Sequence, residues 1–186
     1  MDKKESIRKK YFLKRKKNYF EISHKFFFPL TKLIRKKKIS IKSPISIYYP
    51  SLFELNILKI LDVEFLKKFT FLLPIIEKNN SMNFYKWSKN EILFVNKYGM
   101  LEPVRSSKIS PKIILVPILA FDKKKNRLGY GKGFYDKYLT KYLKLHKKIV
   151  TIGVAFSFQK YNNLPVNSKD FKLDYIITEK GIIWKF

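Results

Sequence analysis

The chain contains no cysteine, which excludes disulfides, thiolate metal sites and cysteine nucleophiles and agrees with a cytoplasmic location. Its two histidines, His24 and His146, stand far apart without a companion ligand. A two-histidine zinc motif is therefore excluded, and each reads as a surface or partly buried side chain. No apolar stretch approaches the roughly 20 residues of a membrane span, so no membrane partner is expected. Met1 to Lys17 is basic but lacks the apolar core and small-residue cleavage site of a secretory signal. Asp2 and Glu5 count against an organellar presequence. Neither an internal repeat nor a flexible linker is visible. Glycine is scarce, at 6 residues, so a place where glycines gather carries weight.

What is present points to one domain over residues 1–186, with a helical segment over residues 1–40. Apolar residues make up 46% of the chain, enough for a core. The net charge of +27 suggests nucleic acid or an anionic surface. The basic residues are nearly all lysine, with arginine only at 8, 15, 35, 105 and 127, and they spread over the whole length. With abundant Ile, Phe, Tyr and Asn, this composition follows AT-rich codons. A basic nucleic-acid-binding protein remains the rival reading, yet no basic stripe and no recognisable reading element is found. No specific nucleic-acid partner is expected, and the chain is expected to be a monomer.

Residues 2–38 read as helical, with Pro29 breaking them into two helices. Ile45–Tyr49 reads as a strand ended by Pro50, and Phe69–Leu73 as a second, closed by Pro74. Between them, apolar residues at 57, 58, 61, 65 and 66 predict a helix over 54–68. Met82–Trp87 reads as a strand and Lys97–Pro103 as a loop. Lys112–Pro117 is an apolar run of the kind buried on both faces of a sheet. A polar, basic loop over 121–128 follows it. Tyr135, Tyr138, Leu139, Tyr142 and Leu143 fall on one helical face, and Val150–Phe156 and Asp174–Thr178 supply late strands. Strands alternating with helices predict an α/β fold, a three-layer α/β/α arrangement around a mostly parallel sheet.

Glycines at 129, 131 and 133 stand between a strand and a helix. Glycine accepts positive φ and lets a ligand approach the backbone, while free N–H groups at the helix start favour anions. Lys132 adds a mobile positive charge. The spacing is neither that of a P-loop nor that of a dinucleotide fingerprint. A phosphate site is one reading; a glycine-rich turn with a surface lysine is the other. Asp136, just inside the following helix, is either an acid at a positive helix end or a carboxylate for Mg²⁺. Asp174, opening a late strand, is a possible second acid.

The run Leu115-Val116-Pro117-Ile118-Leu119-Ala120-Phe121-Asp122, continued by Arg127-Leu128-Gly129-Tyr130-Gly131-Lys132-Gly133-Phe134-Tyr135-Asp136, resembles the signature of 5-formyltetrahydrofolate cyclo-ligases. Ile152–Phe156, Gln159, Leu164-Pro165, Asp170, Leu173-Asp174 and Ile176–Glu179 are similar to that family's C-terminal segment. Lys4, Arg8, Glu54, Leu73-Pro74, Met82, Trp87, Gly99 and Glu102-Pro103 fall in family order. The chain departs from the pattern at Lys169, where many members have histidine, at Asn167, often glutamate, and at Phe134, commonly tyrosine. The stretch around Tyr49 and Phe53 is diverged.

The resemblance implies an enzyme that uses ATP and Mg²⁺ to cyclise 5-formyltetrahydrofolate to 5,10-methenyltetrahydrofolate, through a phosphorylated formyl group attacked by the folate N10. By the same resemblance, ATP would be bound by Lys4, Arg8, Arg127, Leu128, Gly129, Tyr130, Gly131, Lys132, Gly133, Phe134 and Tyr135. Lys132 and Arg127 would serve catalysis by balancing phosphate charge. The folate would meet Tyr49, Glu54, Tyr130, Gly131, Lys132, Gly133 and Phe134, and Mg²⁺ would be held by Asp136 and Asp174. A relative that binds folate or nucleotide without turnover is a further alternative.

Overall fold

A computed structural model describes residues 2–145 and 149–183; His146 and the side chain of Leu143 lie outside the described residues. Seven strands form the central sheet: β1 (Ile45–Ser46), β2 (Phe71–Ile76), β3 (Met82–Lys86), β6 (Ile113–Pro117), β9 (Val150–Val154), β10 (Tyr175–Thr178) and β11 (Gly181–Ile183). Their spatial order is β11-β10-β9-β6-β1-β2-β3. The pairs from β10 through β2 are parallel, and the two outermost pairs, β10–β11 and β2–β3, are antiparallel. The expected α/β fold with a mostly parallel sheet is what the chain adopts.

The strand period of two explains why β6 is apolar throughout. Ile113 and Leu115 enter the core on one face, while Ile114 and Val116 enter the core on the other. Helix α2 (Phe28–Lys36) and the 3-10 turns Ile57–Asp62 and Leu66–Lys68 cover the first face, through Leu30, Leu33, Ile34, Ile57, Ile60 and Leu66. Helix α3 (Phe134–Leu145) covers the second through Tyr138 and Leu139. Helix α1 (Lys3–Asn18), capped by the Asp2 side chain, rests Ile7 and Tyr11 on a third cluster with Leu119, Ala120, Leu128 and Leu164. Among the described residues, no helix is long and apolar enough to cross a membrane.

Several local expectations are corrected. Pro29 lies in the first turn of α2 and starts that helix, where a missing N–H costs nothing; the break is the extended stretch at 19–23. Pro74 sits within β2, opposite Phe84. The predicted helix over 54–68 is a pair of 3-10 turns, with Ile57 and Ile60 buried at the three-residue spacing of that geometry. The loop over 97–103 belongs to a hairpin of β4 (Leu93–Val95) and β5 (Leu101–Pro103). The polar loop over 121–128 is a small hairpin of β7 (Ala120–Phe121) and β8 (Arg127–Leu128). Lys123 and Lys124 are exposed, but Asp122 is buried, where it accepts from the backbone and side-chain amides of Asn126.

Gly153 in β9 is required by packing. A Cβ there would stand 2.2 Å from Ile118 Cδ1 and 2.8 Å from Leu173 Cδ1, and both side chains are buried. Gly153→Ala is expected to lower stability by about 1–3 kcal/mol through overpacking. Urea unfolding at an unchanged m-value would measure it; wild-type stability would mean that Ile118 has room to turn away.

Candidate active site

In open α/β sheets, ligands gather beyond the carboxyl ends of the parallel strands. Here the chain leaving β1, β2 and β6 borders a cavity of about 1560 Å³, closed by the glycine loop, the start of α1 and the β4–β5 hairpin. The cavity brings together Lys4, Arg8, Tyr49, Glu54, the whole of 127–135 and Asp136. Asp174 is not among its lining residues. Its carboxylate accepts from the backbone N–H and hydroxyl of Thr151, both at 2.8 Å, tying β9 to the start of β10. The pairing of Asp136 with Asp174 is therefore not what the fold assembles, because a residue opening β10 lies at the opposite end of a parallel strand from its carboxyl edge.

Gly131 and Gly133 both adopt positive φ, 96° and 69°, so the loop needs glycine there. Arg8 reaches across from α1, donating from Nε to the Gly129 carbonyl at 3.1 Å. A Cβ on Gly131 would lie 3.2 Å from its guanidinium carbon. Lys4 is held by Asp170 at 2.5 Å. Lys132 Nζ lies 5.6 Å from the centre of the Tyr98 ring, which packs on Phe134. Arg127 donates to Asp136 Oδ1 at 2.6 Å, and the Phe171 N–H donates to the same oxygen at 3.2 Å.

Glu54 is presented differently. Leu52 and Phe53 both have positive φ, 48° and 62°, an uncommon conformation for non-glycine residues that marks a strained turn. The turn closes through the Glu54 N–H to the Ser51 carbonyl, while the Ser51 N–H donates to Glu54 Oε2 at 3.0 Å. Glu54 is buried, and desolvation holds its carboxyl above the usual range. Arg15, the Ser51 bonds and the Tyr130 hydroxyl pull the other way without cancelling it. Burial, followed by the Glu54 charge, likewise pushes the Tyr48, Tyr130 and Tyr135 phenols up. The Tyr135 hydroxyl is buried with no hydrogen-bond partner.

Chemically, one cavity thus offers two environments. One is a loop of glycine backbone flanked by Lys4, Arg8, Arg127 and Lys132, suited to phosphates. The other is a buried carboxylate among tyrosines, suited to an aromatic heterocycle with N–H donors. Among the described residues, no group of three or more His, Asp or Glu side chains is placed to hold a metal ion. Asp136 alone, one carboxylate beside the phosphate-suited loop, still fits Mg²⁺, which commonly takes one or two carboxylates with phosphate oxygens.

Sequence reasoning missed Tyr48, Tyr98 and Arg15. Tyr48 and Tyr98 line the cavity, but nothing distinguishes them among 12 tyrosines. The sole arginine within a run of lysines was a signal for Arg15.

The 5-formyltetrahydrofolate cyclo-ligase family matches residues 1–179 of this chain. A probable 5-formyltetrahydrofolate cyclo-ligase of Schizosaccharomyces pombe is 32% identical over 139 residues, 67% of this chain and 68% of its own length. The NMR structure of Aquifex aeolicus 5,10-methenyltetrahydrofolate synthetase aligns with TM-score 0.71 and 30% identity, covering 96% of this chain and 91% of that one. A 5,10-methenyltetrahydrofolate synthetase from Mycoplasma pneumoniae aligns with TM-score 0.68 over 96% of this chain and 99% of that one; at 24% identity it speaks for the fold.

Proposed function

This chain belongs to the 5-formyltetrahydrofolate cyclo-ligase family, ligases of folate one-carbon metabolism, and we propose that it joins ATP and 5-formyltetrahydrofolate in this cavity to make 5,10-methenyltetrahydrofolate. The observation that carries this reading is the pairing of the cationic glycine loop with the buried Glu54 in one space of about 1560 Å³. Pockets for one ligand run roughly 300–1,000 Å³, so this space has room for a nucleotide and a folate together.

A formamide oxygen is a poor leaving group, and transfer of the γ-phosphoryl group to it makes it a good one. The folate N10 then attacks the formyl carbon and phosphate departs. In such a reaction the protein positions groups and neutralises developing charge. The amides around Gly131 and Gly133 would cradle phosphates, with Arg8, Lys4 and Lys132 as counter-charges. Mg²⁺, held by Asp136 and the nucleotide phosphates, would neutralise charge on the transferring group when bound. Arg127 fixes the Asp136 carboxylate, and Glu54 would accept hydrogen bonds from the pterin amino and ring N–H groups, with Tyr130 and Phe134 against its plane.

The test is the absorbance of methenyltetrahydrofolate with purified protein, 5-formyltetrahydrofolate, Mg²⁺ and ATP, each omitted in turn. A rise that needs every component supports the reading; a folded, ATP-binding protein that gives none defeats it. Lys132→Ala is expected to raise the KM for ATP by about tenfold or more, with a smaller effect on folate. Unchanged ATP kinetics would remove Lys132 from the phosphate site.

A further inference from the structure

We propose that Arg15 is a positioning residue for the folate-facing carboxylate, acting through the Tyr130 hydroxyl and the strained turn that presents Glu54; this rests on the folate reading of Glu54. Arg15 stands in the last turn of α1. It is 1% exposed and heads the largest fully buried side chains. It does not line the cavity; it lies behind its wall. A buried guanidinium is costly unless its donors are satisfied. The Nη donors of Arg15 go to three oxygens, none of them a carboxylate, and its Nε is buried without a partner. Nη2 donates to the Leu52 carbonyl at 2.7 Å and to the Tyr130 hydroxyl, and Nη1 approaches the Ile118 carbonyl at 3.5 Å.

Each oxygen belongs to a segment that builds the site. Leu52 is in the left-handed turn before Glu54, Tyr130 is in the glycine loop, and Ile118 follows β6. One side chain therefore fixes the carboxylate-bearing turn relative to the loop. A hydroxyl that accepts from Arg15 has its own proton free, and Tyr130 lines the same cavity as Glu54, where each influences the other's ionisation. Guanidinium, phenol and carboxylate are thereby coupled in an electrostatic relay, ending on the group that meets the pterin. The charge of Arg15 also acts on Glu54 through space, opposing the desolvation that favours its neutral form. The other groups facing Glu54 are Ser51, Tyr48, Tyr130 and Tyr135. Among the described residues Arg15 is the cation that opposes that desolvation most, so ionisation of Glu54 leans on it.

The choice of arginine follows from this geometry. Lys14, Lys16 and Lys17 surround it in sequence, and lysine would supply the charge. Only the planar fork of arginine reaches several oxygens in fixed directions. Through-space charge and directional bonding are thus separable by substitution.

Steady-state kinetics for both substrates across pH, with melting curves, test this on Arg15→Met, Arg15→Lys, Tyr130→Phe, the Arg15→Met/Tyr130→Phe double variant and Glu54→Gln. Arg15→Met is expected to raise the folate KM about tenfold while leaving the ATP KM nearly unchanged. The acid limb of kcat/KM should move up by about one pH unit, because the carboxylate loses what lowers its pKa. Arg15→Lys should keep the acid limb near that of the wild type without restoring the folate KM. Tyr130→Phe should move the limb the same way, and the double variant should fall short of the product of the single effects. A role confined to packing α1 predicts otherwise: a lower melting temperature and both KM values raised together, with the acid limb in place, which overturns the proposal. Should Arg15→Met fail to fold, Tyr130→Phe decides, and an unmoved limb overturns the relay. Glu54→Gln separates the two levels. If it leaves the folate KM unaltered, the folate reading fails and the proposal with it. If it raises that KM while Arg15→Met does not, only the proposal fails.

Discussion

Asp136→Asn is expected to lower kcat by about 10³-fold, the scale of losing a principal electrostatic stabiliser of the transition state. Two features of this carboxylate bear on that expectation. It compensates Arg127, whose side chain is only 4% exposed, through a 2.6 Å contact, and it is the sole acid that the fold sets at the start of α3 beside the glycine loop. Asparagine keeps the shape and the acceptor for the Phe171 N–H, so the loop should persist while the charge is lost. The sign of nucleotide binding separates a metal role from a structural one. Without Mg²⁺, removing a negative charge near the phosphates should leave ATP affinity equal or greater, because like charges repel. With Mg²⁺, turnover should collapse. Calorimetric ATP titrations with and without the metal, beside turnover assays, check both halves. A variant that retains most of its turnover would take Asp136 out of the reaction.

Glu54→Gln is expected to lower kcat/KM for folate by about 10²-fold, since a site built around a charged hydrogen-bond partner discriminates strongly when that partner is neutralised. The same change should make the protein more stable at neutral pH. Desolvation raises the carboxyl pKa in the folded state, so folded protein holds the proton more tightly than unfolded chain. Stability contributed by the neutral form is fully present below the ordinary carboxylate range and is lost as pH rises through the raised folded value. Glutamine stays neutral throughout. Its stabilising effect should therefore be absent in acid, grow as pH climbs from the ordinary carboxylate range to that raised value, and stay level above it. Melting curves over that range, read beside activity, would show a residue kept for function at a cost in stability. Glu54→Gln melting identically to the wild type at every pH would deny that the ionised group is held against burial.

The large elements were legible because their periodicity and their burial coincide. The apolar run 113–116 is a sheet centre whose residues divide between two cores, and the face through Tyr138 and Leu139 is the one that packs. The glycine loop was legible because positive φ at 131 and 133 admits few other residues. Failures came where short-range pattern and long-range partner diverged. Phe121–Leu128 looks like a solvated loop by composition, yet Asp122 and Lys125 are buried. Their partners are Asn126, close in sequence, and the Asp174 carbonyl, 49 residues away. Pro74 looked like a strand end and lies inside β2, which the short β1 flanks only as far as Leu72.

By itself the sequence determined the class of fold, the phosphate-suited loop and the family, since these rest on residue types in local order. Only the tertiary structure decided which acids share a site. The resemblance paired Asp136 with Asp174 as a second acid, but strand direction carries Asp174 to Thr151 and leaves Asp136 facing Arg127. It also decided which cation matters to Glu54. Among 41 basic residues, the burial of Arg15 against three chain segments singles it out. That burial depends on how α1 crosses the ends of distant strands, which no spacing within α1 encodes.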